Sequence, residues 1–393
     1  MNLVEVHLIQ TVPPANLNRD DTNSPKDALF GGVRRARISS QSQKRAVRQF
    51  FSGLPLLRPE ERAVRTKRLV DALVERFRDR PAEETRAVAI AALGSLGLGF
   101  DDKHPDRTQY LLFLGQREID RLADKLREHW DDLRALASAM QRADEKGTGK
   151  PQKEDFAKKA PKAIKDALAR VLDGGKAADI ALFGRMLADR PELGKDAACQ
   201  VAHAISTHRV DREFDFYTAV DERQPREETG ADMMGDVEYY TATFYRYADI
   251  NLGLLLDNLE GDADLASRAV AAFLRAFVLT LPSGKQNTFA AHSLPQFVAF
   301  LVRKDGMPRN LAAAFEKPVF PRDDKSLTGA SVEALMQYWQ RLDQAYGRPP
   351  REWVAIVNLS DGSLPYHADK VKDSLEDALQ VAMEGVRELM GVG

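Results

Sequence analysis

Cysteine is almost missing from this chain: Cys199 is the only one in 393 residues. It cannot close an internal disulfide, which fits a reducing compartment, the cytoplasm. It cannot build a zinc ligand set either, and the seven histidines form no HxH or HExxH spacing, so no metal is expected. No uncharged apolar run reaches the ~18 residues that announce a membrane span. The opening MNLVEVHLIQTVPP lacks a basic segment followed by an apolar core, so it reads as a strand and not as a signal peptide. Phosphate-loop glycines are absent. Gly284-Lys285 is followed by Gln286, with Leu279 where the loop needs glycine, and Gly175-Lys176 is followed by Ala177. No GxSxG elbow occurs. These absences leave no catalytic constellation and no cofactor site, and the expectation is a protein that is not an enzyme.

What is present is ordinary in amount and uneven in placement. The chain is 44% apolar and 30% charged, as in soluble globular proteins of two or three substructures. Its net charge is −2, yet seven basic residues stand against Asp27 alone between Lys26 and Arg48. That local excess of six leaves −8 on the rest of the chain. Such a patch draws a polyanion to one place, unless it is only a solvated face. Ten acids against three arginines between Asp211 and Glu238 make the opposite extreme.

Periodicity gives the elements. Leu3 to Gln10 alternates Val4, Val6 and Leu8 against Glu5 and His7, a half-buried strand with His7 packed or hydrogen-bonded. Thr11 to Arg37, punctuated by Pro13-Pro14 and Gly31-Gly32, reads as a long functional loop. A helix follows, capped by Ser39 or Ser40, with Val47, Phe50 and Phe51 as its buried stripe and Gln41, Lys44, Arg45 and Arg48 on the other surface. Helices are expected over Glu61 to Arg78, Ala82 to Leu96, Gln116 to Ala143 and Lys153 to Leu172. Strands are expected over Asp179 to Phe183, Ala204 to Val210 and Tyr239 to Asp249, with the acidic stretch between the last two as a projecting hairpin. The remainder alternates: helix 264–280, strand Phe297 to Arg303, helix 331–345, strand Trp353 to Leu359 and helix 372–390. The fold class is α+β, with antiparallel strands and large insertions.

Groups suited to phosphate are concentrated at Arg34, Arg35, Arg37, Ser39, Ser40, Gln41, Lys44 and Arg45: guanidiniums, hydroxyls and a helix start that follow a backbone without reading bases. Lys285 and Gln286 offer a second donor cluster, or an ordinary turn. Aromatics at the hairpin root, Phe214, Phe216 and Tyr217, either stack on bases or anchor the hairpin to its sheet.

The run LNRDD…KDALFGGVRRARISSQSQKRAVR over residues 17–48 closely resembles the signature of the type I-E Cascade backbone subunit, the CasC-type family of CRISPR systems within the RAMP superfamily. The resemblance continues in DIALFGRM (179–186), AHAISTHRVDREFDFYTAVDE (202–222), TATFYRYADINL (241–252) and PSGKQNTFAA (282–291). It implies an RRM-like (ferredoxin-like) palm over 1–56, 176–208 and 240–393, helical fingers over 57–175, and a β-hairpin thumb over 209–239. It further implies a subunit that polymerises head-to-tail along CRISPR RNA and presents the guide for pairing with target DNA in antiviral defence. The implied partners are further copies of itself, the large, small and guide-end-capping Cascade subunits, and indirectly a recruited helicase-nuclease. Carried over by position, RNA contacts fall on Arg19, Lys26, Ser39, Gln41, Lys44, Arg45, Arg48, Lys285 and Gln286. Arg34, Arg35 and Arg37 join that patch or pair with acids of a neighbouring copy. Met186 and Tyr217, with Phe216 beside it, stand where the family packs a displaced base. Acids of the hairpin, Glu227 and Glu228 among them, are expected to border a neighbour's basic surface. Two rivals are a RAMP-type endoribonuclease using His203, His208 or Tyr217, and a non-specific single-stranded RNA coat.

Overall fold

The computed structural model describes residues 1–145, 158–219, 233–322 and 324–392. They divide into two compact units, one of Met1–Leu54, Cys199–Gly253 and Val270–Gly393, the other of Pro55–Ala198 and Leu254–Ala269. In chain order the first elements are β1 (Leu3–Ala15), β2 (Asp27–Phe30), β3 (Val33–Ile38) and α1 (Ser40–Phe50). Then come β4 (Ala63–Thr66), α2 (Leu69–Val74), α3 (Ala82–Ser95), β5 (Leu112–Gly115), α4 (Gln116–Glu128), α5 (Trp130–Glu145), α6 (Lys162–Ala169) and α7 (Ala178–Phe183). The chain continues through β6 (Cys199–Val201), β7 (Ala204–Ser206), β8 (Glu213–Ala219), β9 (Met233–Asn251), α8 (Leu252–Asn258) and α9 (Ala263–Leu279). Last are α10 (Gln286–Phe289), β10 (Phe297–Lys304), α11 (Leu327–Tyr346), β11 (Arg351–Asn358) and α12 (Leu375–Met390). No helix among the described residues is long and apolar enough to cross a membrane.

The first unit is built on an antiparallel sheet of order β11-β10-β1-β9-β7-β3-β2, with β6 and β8 also paired to β9. At its centre, β10, β1, β9 and β7 are joined in the chain order β1, α1, β7, β9, α9, β10. β1 is not half-buried as its alternation predicts: every residue from Leu3 to Gln10 is buried. The reason is α11, whose Val332, Leu335, Met336 and Trp339 cover the face that carries Glu5 and His7. Glu5 is held there by Arg303 at 2.8 Å and by the Tyr247 hydroxyl at 2.8 Å. On α9, Val270, Phe273, Leu274 and Phe277 are buried as their spacing predicts.

His7 Nδ1 lies 2.9 Å from the Tyr245 hydroxyl, which itself accepts the Leu311 amide at 3.0 Å. Burial, with the nearby Arg303 charge, lowers its pKa to about 3. The unfolded chain takes up this proton from about pH 6.5 downward while the folded one refuses it. The stability it contributes is full above that pH and lost on acidification, by about 2 kcal/mol at pH 5. Urea midpoints measured from pH 7.5 to 5 check this: His7→Gln should remove close to one proton from the slope.

The expected loop from Thr11 to Arg37 is largely strand. β1 runs on to Ala15, with a register break between Val12 and Ala15 that accommodates Pro13-Pro14. β2 and β3 form a hairpin closed by Gly31 and Gly32 at φ 59° and 76°, the two left-handed residues such a turn requires. A Cβ on Gly31 would also fall 1.7 Å from the Glu316 carbonyl oxygen.

In the second unit, leucines of α2, α3, α4 and α6 share one core with Trp130. Three expectations are corrected here. The helix from Glu61 is replaced at Ala63–Thr66 by β4, paired with β5. The helix from Gln116 breaks at His129 into α4 and α5. The short apolar run Asp179 to Phe183 is helical, stopped by Gly184 at φ 74°. The fully buried pair of Arg185 and Glu118, at 2.7 Å, ties this unit together: Glu118 also accepts the Gly115 and Gly174 amides at 2.7 and 2.8 Å.

Candidate nucleic-acid interface

Three segments of the first unit converge beside the start of α1. Where β1 ends, Asn18 Oδ1 accepts the Ser39 amide at 2.8 Å and the Asn18 carbonyl accepts the Lys26 amide at 2.8 Å. Both ends of the 18–26 loop are thereby fastened. Ser39 is the N-cap, its hydroxyl accepting the Ser42 amide at 3.3 Å. The helix turns Gln43, Val47 and Phe51 inward, at positions i, i+4 and i+8, while the expected Phe50 is only half-buried. Gln43 is satisfied inside: it donates to the Ala202 carbonyl at 2.9 Å and accepts from Arg246 at 3.2 Å. The third segment, Pro282–Gly284, sits on the first, because Gly284 lies so close to Leu17 that a Cβ would meet its carbonyl oxygen at 2.3 Å. The result is a polar groove of about 390 Å3 lined by residues 17–20 and 282–284, Asn23, Ser42, Arg45, Ala46 and Gln49.

The structure sorts the sequence-derived candidates. Arg19 and Arg45 line the groove and Gln41 is exposed on the same helix. Lys44 and Arg48 are half-exposed on α1, and Lys285 and Gln286 follow directly on the groove-forming turn. Lys285 begins α10 in the left-handed region, and Gln286 donates to the Ala291 carbonyl at 3.4 Å. Ser40 is half-exposed, donating to Gln41 at 3.4 Å. Lys26 is half-buried, and Arg37 is braced by the Asp27 carbonyl at 3.0 Å and His203 Nδ1 at 3.1 Å. Arg34 pairs with Asp27.

One candidate is corrected. Arg35 is completely buried and donates to the carbonyls of Phe30, Ser206, Phe315 and Glu316, so it holds the fold and has no face to offer a ligand. Ser39 is largely buried, its hydroxyl accepting the bond that caps α1. Sequence reasoning missed Gln49 and Ser283. Gln49 follows from helical spacing, at i+4 from Arg45; nothing local marks Ser283.

The hairpin of β8 and β9 is rooted by Arg212, which bridges Asp27 at 2.8 Å and Glu238 at 3.1 Å. Phe214, Phe216 and Tyr217 are 64%, 66% and 48% exposed, so they do not anchor it to the sheet. Strand alternation puts Phe214 and Phe216 on one face and Tyr217 on the other, over Gly235, where a Cβ would fall 2.6 Å from the ring. Glu227 and Glu228 lie outside the described residues. Met186 belongs to the second unit and is 82% exposed.

Of the groups named for an endoribonuclease, Tyr217 is exposed on the hairpin and the two histidines are hydrogen-bonded. His208 Nδ1 donates to the Arg209 carbonyl at 2.7 Å and its Nε2 accepts the Thr243 amide at 3.1 Å, which occupies both ring nitrogens. Burial holds its pKa below the usual range. His203 is lowered too, by burial and by the charges of Arg37 and Lys26. Cys199 is buried, which pushes its thiol well up. Among the described residues no group of three or more His, Cys, Asp or Glu could hold a metal ion.

A family model described as "CT1975-like protein" matches residues 4–381. Among solved structures, a chain of a "CRISPR RNA-guided surveillance complex, pre-nicking" is 33% identical with a TM-score of 0.81, covering 98% of this chain and 100% of that one. A chain of a second "CRISPR RNA-guided surveillance complex" is 30% identical with a TM-score of 0.71, covering 97% and 99%. No curated protein matches. With a family match over nearly its whole length and a groove built from the motifs that carry the likeness, this chain belongs to the family of CT1975-like proteins.

Proposed function

We propose that this chain is the guide-RNA-binding backbone subunit of a type I-E CRISPR surveillance complex, and that it cuts nothing. The observation that carries the reading is the groove: segments about 250 residues apart in sequence bring Arg19, Arg45, Ser42 and Ser283 to one surface, with Lys44 and Arg48 on the same helix. Hydroxyls and cations without a base-reading pocket suit a ribose-phosphate strand of any sequence. The strand order β10-β1-β9-β7, with α1 and α9 as crossovers, supports an RRM-like palm. The unit holding Pro55–Ala198 then serves as fingers, and the β8–β9 hairpin as a thumb whose exposed rings displace a base.

In this reading copies stack head-to-tail on CRISPR RNA, flanked by the large, small and guide-end-capping subunits, and leave guide bases open to target DNA. Co-expression with a CRISPR array and type I-E partner subunits tests it. The purified assembly should contain RNAs of uniform length with repeat-derived ends, and the chain alone should leave repeat RNA uncut. Heterogeneous cellular RNA would favour a general coat, and discrete cleavage products a nuclease.

A further inference from the structure

The groove contains one group whose charge opposes a polyanion, Asp20. Its carboxylate is held through one oxygen only. Oδ1 accepts the Thr22 amide at 2.9 Å, the Thr22 hydroxyl at 2.8 Å and the Ser24 amide at 3.0 Å. Oδ2 accepts no hydrogen bond among the described residues. The Thr22 hydroxyl, aided by the two amides and the Arg212 charge, holds the carboxyl below its ordinary range, so it is ionised at neutral pH.

An anion fixed beside the phosphates of a bound strand weakens binding, unless the strand offers it a donor. RNA and DNA present the same phosphates; they differ in the 2′-hydroxyl, which donates. The groove's other acceptors, the Asn23 amide oxygen and the Ser42 and Ser283 hydroxyls among them, are neutral, so Asp20 alone offers a charged one. Arg19 and Arg45 carry donors alone. Asn18 Oδ1 already receives the Ser39 amide, and Gln49 Oε1 receives Arg45 at 3.4 Å. Asp20 Oδ2 is charged, open and held in place by the three bonds on its sister oxygen.

We propose that Asp20 reads the sugar: its Oδ2 accepts a ribose 2′-hydroxyl, so that the groove selects RNA over DNA where the neighbouring arginines hold phosphates. The inference rests on the guide-RNA reading and adds to it a single residue that sets backbone specificity.

The test uses the full chain in EDTA, with labelled RNA and DNA of one sequence followed by fluorescence anisotropy. Wild type should bind RNA about tenfold or more tightly than DNA. Asp20→Asn keeps Oδ1 and the loop bonds but replaces Oδ2 by a donor. Its RNA affinity should fall about tenfold while DNA affinity holds or rises, bringing the ratio close to one. RNA carrying 2′-O-methyl groups should bind wild type with the same loss, a readout that needs no protein variant. An unchanged RNA-to-DNA ratio in Asp20→Asn, or full tolerance of 2′-O-methyl RNA, would overturn the assignment. Loss of the wild-type preference in EDTA would do so too, since a bridging cation would then be its source. Equal binding of RNA and DNA by wild type sinks this inference alone, whereas binding of neither sinks the guide-RNA reading with it.

Discussion

Exchanging Lys44, Arg45 and Arg48 together for glutamate is expected to abolish retention of guide RNA, weakening binding by a factor on the order of 10^3 or more. Arg45 is exposed on α1 and Lys44 and Arg48 are half-exposed beside its buried stripe of Gln43, Val47 and Phe51. The helix keeps its Ser39 cap, so the fold should persist. Arg48 lies in the last turn of α1, where a cation is favourable, and its reversal costs about 0.3–1 kcal/mol of helix stability. Roughly five phosphate contacts per copy give a log–log salt slope near −3.5 on a single strand, and losing three brings it to about −1.4. Absorbance of the purified complex at 260 and 280 nm, followed by a salt titration, reads both effects. Guide retained at the wild-type level would remove the groove and its helix from any role in RNA binding.

How far the chain could be read without coordinates depends on the range of the interactions concerned. A serine cap on α1, the long strand β9 and the helices α9, α11 and α12 are fixed by period and by turn chemistry within a few residues, and they appear close to where the pattern puts them. Glu5 and His7 mislead because a polar residue normally marks the wet side of a strand. Here each has a buried partner supplied from elsewhere, Arg303 and Tyr245, about 240 to 300 residues away. Pro13-Pro14 argues against a strand, and the ladder bends at that point to admit them. The groove is the least legible feature. Its two halves are separate motifs in the sequence, and the contact that joins them depends on Gly284 having no Cβ against Leu17.

Arg35 shows what composition alone cannot separate, and its replacement has the second large effect. In sequence it is one of three arginines within four residues; in the structure those three have different work. Arg34 is half-exposed and paired with Asp27, a contact worth about 0–1 kcal/mol. Arg37 spans the Asp27 carbonyl and His203. Arg35 reaches through the hairpin to four backbone carbonyls at 2.7 to 3.2 Å, one on β2, one on β7 and two at Phe315 and Glu316. No carboxylate pairs with it among the described residues, so those carbonyls are what stabilise its charge. Arg35→Ala strips the donors from all four and opens a cavity, and should destabilise the first unit by about 3–5 kcal/mol. Arg35→Lys should recover little, because a single ammonium cannot span the planar fork of bonds. Urea unfolding orders the three positions: Arg35→Ala far below wild type, with Arg34→Ala and Arg37→Ala close to it. Guide retention by Arg35→Ala should fall only as far as its folded fraction falls. Wild-type stability combined with lost RNA binding would instead make Arg35 a direct RNA contact, which its complete burial behind Phe30 and Ser206 opposes.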